Sequence, residues 1–265
     1  MTIDVNLPKN RQGRYYHLNC GPGDLAPYLL TCGDPDRARR IAKSFDRVEV
    51  KRRNREFLTY TGSYHGIPVS VIATGIGAAA SAIAVVEAAQ CVAPATFIRL
   101  GSTGALQDYI NLGDLIITTE ALREENTTYC YAPAEQKALA HPQVLAALKE
   151  AAAALRMPHH VGVTCTSPDF YAGQGRIVPG FPTLDPDKVE RLSRAGVLNL
   201  EMEMSAYLTL AAVSTLKLRA GGACAVFLNR LNHTFVSARL MRQSEKRLIE
   251  VGLRAVEILA AQDRG

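Results

Sequence analysis

The stretch from residue 67 to residue 104 constrains the fold most. Ile67-Pro-Val-Ser-Val-Ile-Ala73 reads as a strand and Gly75-Ile-Gly77 as a tight loop. An alanine-rich helix follows over 78–92, and Ala95-Thr-Phe-Ile98 opens a second, buried strand that runs to Leu100. A strand, a helix and a strand in this order are expected to pair in parallel, because only a long crossover returns the chain to the starting end of a sheet. The same alternation recurs along the chain. Further strands are expected over 26–32, 114–119, 160–166, 197–200 and 219–228, and helices over 37–45, 142–156, 185–195, 203–216 and 237–261.

Local signals place the ends of these elements. Asp34 is a natural N-cap and Pro35 suits the first helical position. In the last helix Leu248, Val251, Ala255 and Ile258 fall at three- and four-residue spacing, with the pair Glu250 and Arg254 on the other side. The expected architecture is α/β: a single domain over 1–265, with a mixed, mostly parallel central sheet flanked by helices on both faces. Residues 1–16 are expected to be partly flexible. The Gly/Pro-rich stretch 168–186 is the longest irregular segment, and a long loop inside a compact domain usually carries function.

Composition narrows the function. Hydrophobic residues make up 48% of the 265, enough for a packed core. The net charge of +5 suits anionic ligands. Lys and Arg concentrate only over 47–55, where Glu49 and Glu56 dilute them, so nucleic-acid binding is not expected. That run reads as a solvated surface strand, Arg55 excepted. The six cysteines form no C-x-x-C pair and read as reduced core or near-core residues rather than as disulfides or a zinc site. The N-terminus lacks a signal-peptide pattern and no apolar run is long enough to span a bilayer, so a cytoplasmic protein without a membrane partner is expected.

Six polar segments fall just past expected strand ends: 33–37, 74–77, 99–104, 167–176, 201–203 and 229–230. In an open α/β sheet that rim is where ligands bind. Arg99-Leu-Gly-Ser-Thr-Gly104 joins a guanidinium to two hydroxyls and two glycines, a composition suited to cradling an anion; by itself such a segment is more often an ordinary turn. Gly33-Asp-Pro-Asp-Arg37 sets an arginine and free backbone N–H groups at a helix start, again an anion site or a plain capped helix. Glu201-Met-Glu203 places two carboxylates among apolar neighbours, where each needs a partner or a hydroxyl-bearing ligand such as a ribose. Phe170-Tyr-Ala-Gly-Gln-Gly-Arg176 supplies an aromatic ring, an amide that donates and accepts, and a guanidinium. That set matches the edge of a pyrimidine, or else forms a polar loop with one buried ring. The histidines do not cluster as metal ligands do, and His17 is ambiguous.

Together with Arg55-Glu-Phe57, Thr74-Gly-Ile-Gly77 and Asn229-Arg230, these motifs resemble, in order and spacing, the uridine phosphorylases of the nucleoside phosphorylase-I superfamily, from about residue 17 to the C-terminus. The resemblance implies a nucleoside phosphorylase-like fold and the reversible, phosphate-dependent cleavage of uridine to uracil and ribose 1-phosphate. It implies that Gly33, Arg37, Arg99 and Ser102 hold phosphate, with Arg55 reaching in from a neighbouring subunit. Met202 and Glu203, with Glu201 beside them, would bind the ribose, and the neighbour's His17 its 5′-hydroxyl. Gln174 and Arg176 would read the uracil edge; Phe170, Phe227 and Leu228 would line the base pocket above a floor of Thr103 and Gly104. Arg99, Arg176, Gln174 and Glu203 would carry the catalysis. The partners implied are a nucleoside, phosphate and further copies of the chain, in a hexamer built from dimers whose sites are shared. No metal or organic cofactor is implied, inorganic phosphate being a co-substrate.

The chain departs from the family pattern at several positions. Leu200 stands where a tyrosine is frequent, Ala172 for a proline and Gly175 for an acidic residue. Some relatives hold a structural monovalent cation at the dimer interface through the equivalents of Glu56, Ile76 and a serine; Ala80 takes the serine position here and removes one oxygen from that set. Residues 176–200 match poorly. Three other readings stay open. A purine nucleoside phosphorylase would use an aspartate after the last strand, where this chain has Phe227-Leu-Asn-Arg230. A nucleosidase using water would not need three arginines around an anion. A non-catalytic nucleoside-binding protein on the same fold is the third.

Overall fold

The computed structural model describes residues 4–264. The expected flexible stretch therefore lies partly outside the described residues, at 1–3. Within it, Lys9 bridges Tyr15 antiparallel, and the Tyr15 ring is buried.

The chain enters the sheet at β1 (Tyr28–Cys32) and turns at Gly33 into α1 (Pro35–Ala42). The Asp34 carboxylate caps α1 by accepting from the backbone N–H groups of Asp36 and Arg37, with Pro35 in the first turn. This corrects one expectation: the N–H groups at that helix start are taken by the cap and are not free for an anion. The basic run forms the edge strand β2 (Arg47–Asn54), which pairs antiparallel with β3 (Phe57–Tyr64). The sequence reading missed β3. Its Thr, Gly, Ser and Tyr residues look polar, yet most of them are buried against β4 (Ile67–Ala73). The helix α2 (Ala78–Val92) leads to β5 (Ala95–Ala105). There follow β6 (Leu115–Arg123), β7 (Ala138–Leu139), α3 (Pro142–Ala154), β8 (His159–Thr166), α4 (Lys188–Arg194), β9 (Asn199–Glu201), α5 (Met204–Val213), β10 (Leu218–Asn229), β11 (Thr234–Phe235) and α6 (Ala238–Gln262).

The sheet is mixed, with its parallel pairings at the centre. β1 pairs in parallel with β4 and β5, β5 with β10, β6 with β8, and β8 with β9. Helices cover both faces. Leu30, Val69 and Val71 pack with residues of α1, α3 and α6, whereas Leu29, Ile72 and Phe97 pack with α2 and α5. Neighbouring strand residues thus serve opposite cores, as the two-residue period of a strand requires.

The sheet is not open throughout. β5 pairs with β10, β10 with β6, β6 with β8, β8 with β9, and β9 returns to β5, so five strands close on themselves. β5 makes this possible by changing neighbours. Its first half pairs with β1 as far as Thr31↔Arg99, and its end pairs with β9 from Gly104↔Leu200. Residues 100–103 therefore have a strand only on the β10 side. The segment 99–104, expected to be a turn beyond a strand ending at Leu100, is strand, and the gap beside it is where the sheet splits.

Gly222 of β10 lies opposite Arg99 in this register. A Cβ there would sit 2.6 Å from the Arg99 carbonyl oxygen and 2.7 Å from Met204 Cε. The first of these is backbone held by pairing on both sides, so relief is costly. Gly222→Ala should destabilise the fold by about 1–3 kcal/mol, read as a lower denaturation midpoint; an unchanged midpoint would show that the two strands have room to spare.

Among the cysteines, Cys20, Cys32, Cys91, Cys165 and Cys224 are buried as expected, but Cys130 is exposed, on the short 3₁₀ turn Thr128–Cys130. No helix among the described residues is long and apolar enough to cross a membrane.

Candidate active site

The split between β1 and β9 opens into a cavity of about 880 Å³. Of the site residues expected from the sequence, all but His17 and Arg55 line it: Gly33, Arg37, Arg99, Ser102, Thr103, Gly104, Phe170, Gln174, Arg176, Glu201, Met202, Glu203, Phe227 and Leu228. Each comes from a strand end or from the rim next to one, with 99–104 supplied by β5 itself.

Arg99 is the most constrained group. Its side chain is 4% exposed. Nε donates to Glu201 Oε2 at 3.0 Å and Nη2 donates to Glu203 Oε2. Nη1 is buried without a partner among the described residues. Burial works against the charged guanidinium, but the Glu203 and Glu201 carboxylates outweigh it and hold Arg99 protonated above the ordinary arginine range.

The two glutamates differ in what they have left to offer. A carboxylate accepts about four hydrogen bonds. Glu201 meets Arg99, Thr166 Oγ1 at 2.6 Å, and the backbone N–H groups of Glu203 and Met204. Its capacity is spent inside the protein. Burial pushes its carboxyl above the usual carboxylate range, against the pull of Arg99. Among the described residues Glu203 accepts only from Arg99 and from the Gly77 N–H at 2.7 Å. Gly77 reaches it from a backbone with φ of +102°, a conformation that glycine adopts without strain.

Arg37 is equally buried. Nε donates to Glu245 Oε2 and Nη1 to the Leu100 carbonyl, both at 3.0 Å. That carbonyl belongs to the stretch of β5 that lacks a strand on this side. Glu245 was not anticipated. The available signal was an acid on the buried stripe of α6, beside Ser244, Leu248 and Ile249.

At the other end, the loop after β8 carries Gln174 and Arg176. The Asp169 carboxylate accepts from the N–H groups of Tyr171 and Gly173, and Lys188 Nζ donates to the Gly173 carbonyl at 2.5 Å. The turn so held buries Gln174, whose side-chain amide makes no hydrogen bond among the described residues. The Arg176 guanidinium lies 4.1 Å from the Phe170 ring centroid, and its Nε donates to the Phe170 carbonyl at 2.9 Å. Burial lowers the pKa of Arg176. Arg230 donates to the Gln174 carbonyl at 3.0 Å, and burial followed by the nearby charge of Arg176 brings its pKa down to about 10. This end of the cavity thus carries excess positive charge. Thr103 lines the cavity with its hydroxyl already committed, donating to the Leu200 carbonyl at 2.6 Å and accepting from Asn199 Nδ2 at 2.8 Å. Phe235 on β11 also lines the cavity and was missed; nothing in its local sequence marks a two-residue strand.

His17 and Arg55 stand together outside the cavity. Arg55 Nη2 donates to the Tyr16 hydroxyl at 3.1 Å, and the Tyr16 and His17 rings meet edge to face at 4.9 Å. Asn54 Nδ2 donates to the Tyr16 and His17 carbonyls, and Glu87 of α2 holds His17 through its backbone N–H and Nδ1. The two residues expected to serve a neighbouring subunit therefore share one surface cluster.

A mixed sheet split at β5, with arginine–glutamate clamps on one side of the cavity and an amide–guanidinium loop on the other, defines an α/β protein built to hold a polar, partly anionic ligand set. The chain belongs to the phosphorylase superfamily, whose sequence profile matches residues 27–257. It is 42% identical over 265 residues to a uridine phosphorylase of Thermococcus kodakarensis, which covers 98% of this chain and 92% of that one. It is 37% identical over 253 residues to the uridine phosphorylase of Escherichia coli (92% and 97%). It is also 33% identical over 210 residues to a guanosine phosphorylase of Halorubrum lacusprofundi (79% and 81%).

Proposed function

We propose that this chain is a pentosyltransferase that converts uridine and phosphate to uracil and ribose 1-phosphate. The observation that carries the reading is the pairing, in one cavity, of two clamped arginines with the Gln174–Arg176 loop. Phosphate binds at Gly33, Arg37, Arg99 and Ser102. The ribose hydroxyls bind at Glu203 and Met202, with Glu201 orienting Arg99 and Glu203 from behind. A phosphate oxygen attacks C1′ as the C1′–N1 bond breaks, and the bond's electron pair leaves with the uracil. The positive charge near Arg176 and Arg230 favours that departing anion, and Gln174 donates to its carbonyl edge. The anion then takes a proton from solvent. Catalysis rests on positioning and electrostatics, with no covalent enzyme intermediate and no metal or organic cofactor.

The resemblance and the surface cluster support a shared site, in which His17 and Arg55 of one subunit complete the cavity of the next. A dimer-built homohexamer acting in cytoplasmic pyrimidine salvage follows from the same reading.

The guanosine phosphorylase relative raises purine cleavage as a second reading. Asn229 stands in the region where a purine enzyme would carry its acid. Its amide is spent on structure, with Nδ2 donating to the Gln107 and Ile110 carbonyls and Oδ1 accepting from the N–H groups of Leu231 and Asn232. It has no proton to give a purine ring, and this favours uridine. Incubation with uridine should release uracil only when phosphate is present, followed by ultraviolet absorbance. Equal release in phosphate-free buffer would instead mark a nucleosidase, and inosine preferred over uridine would mark a purine enzyme.

A further inference from the structure

We propose that Glu245 is a positioning residue for the anion end of the cavity, acting through Arg37. The inference rests on the reading of Arg37 as a phosphate ligand and adds a residue to that site.

Arg37 and Glu245 come from opposite ends of the chain, on α1 and α6. Both side chains are buried, at 6% and 9% exposure, and they meet at 3.0 Å. A free arginine side chain samples many rotamers and loses them on binding an anion. Here that loss is met during folding. Glu245 fixes Nε, and the Leu100 carbonyl fixes Nη1. Nη2 makes no hydrogen bond among the described residues and is not sealed from the cavity that Arg37 lines. The guanidinium can present only that edge.

Glu245 also sets the charge of this end. It accepts from Arg40 as well, through Nε and through Nη2 at 3.1 Å, and Arg40 in turn pairs with Asp34 at 2.9 Å. Two arginines and two carboxylates thus form one network, in which Arg37 and Asp34 line the cavity and Glu245 and Arg40 stand behind them. An anion arriving at Arg37 meets a guanidinium already oriented and already desolvated, which is the condition under which a charge-assisted hydrogen bond is strongest. Nothing in the geometry brings the Glu245 carboxylate itself to the ligand, so it is a positioning residue and not a catalytic one.

Substitution of Glu245 separates this role from a merely structural one. Glu245→Gln keeps the size and one acceptor but loses the charge; Glu245→Asp keeps the charge but falls short of Arg37 by one methylene. Both should raise the KM for phosphate about tenfold and change the KM for uridine by less than about twofold. In an Arg37→Ala background neither substitution should raise it further, because the group they position is gone. If Arg37→Ala raises the phosphate KM and both Glu245 variants leave it unchanged, the positioning role is wrong and the anion site stands. If Arg37→Ala itself leaves the phosphate KM unchanged, the anion site is misplaced and the proposal falls with it. Equal changes in both KM values, with a lower melting temperature, would reduce Glu245 to a structural ion pair. Melting with and without phosphate gives a second readout: the gain in midpoint on adding phosphate should shrink in each Glu245 variant.

Discussion

Arg99→Ala should lower kcat/KM for phosphate by about 10²- to 10³-fold, the range found when one preorganised donor is removed from a reacting centre. It should also destabilise the protein by about 3–5 kcal/mol, because two buried carboxylates lose their counter-charge. The second effect has a pH signature with a definite sign. Burial already holds the Glu201 carboxyl above its ordinary value, and Arg99 is the chief group pulling it down. Without Arg99 it rises further. A folded-state pKa raised above the unfolded one means that the folded protein binds the proton more tightly. The stability that comes with that proton is complete below the unfolded pKa and is lost as pH climbs through the folded one. The loss of stability on raising pH should therefore extend to higher pH in the variant than in the parent protein. Denaturant titrations of both proteins from the ordinary carboxylate range upward test this. Parallel pH dependences would mean that the carboxylates find new partners when the arginine is gone. Phosphate kinetics that do not change would remove Arg99 from the anion site altogether.

Much of this arrangement can be read from the chain. The βαβ unit at 67–100 is visible because its strands and its alanine-rich helix differ so plainly in composition, and α2 occupies Ala78–Val92, the range expected. The rim residues are visible because glycine, arginine and paired glutamates are out of place at the ends of apolar runs. Three features are hidden for physical reasons. β3 is buried but built from small hydroxyl-bearing and aromatic residues, so hydrophobic patterning passes over it. The split of the sheet depends on β5 exchanging β1 for β9, a pairing choice made between segments about 100 residues apart and recorded in neither. The division of labour between Glu201 and Glu203 follows from which backbone N–H groups the turn into α5 presents, and that is a matter of geometry rather than residue type. The same holds for Glu245: one acid on an amphipathic helix reads as surface until the fold sets it against Arg37.

Glu203→Ala should lower kcat/KM for uridine by about 10²-fold, and for 2′-deoxyuridine by only about tenfold. The difference isolates the ribose. Glu203 has half of its acceptor capacity uncommitted, whereas Glu201 has none, so Glu203 is the carboxylate able to take a hydrogen bond from a sugar hydroxyl. A nucleoside lacking the 2′-hydroxyl cannot lose a contact it never made. Both substrates share the second loss. Arg99 Nη2 is released while Nε stays on Glu201, and the guanidinium is free to swing about that remaining bond. The two routes can be separated in one experiment, by measuring kcat/KM for both nucleosides at saturating phosphate and the phosphate KM at saturating nucleoside. A loss confined to uridine places Glu203 on the ribose alone. Equal losses for the two nucleosides, together with a raised phosphate KM, place it wholly behind Arg99. The two glutamates would then form a single clamp on the anion side, and of the expected ribose residues Met202 and the neighbour's His17 would be left to meet the sugar.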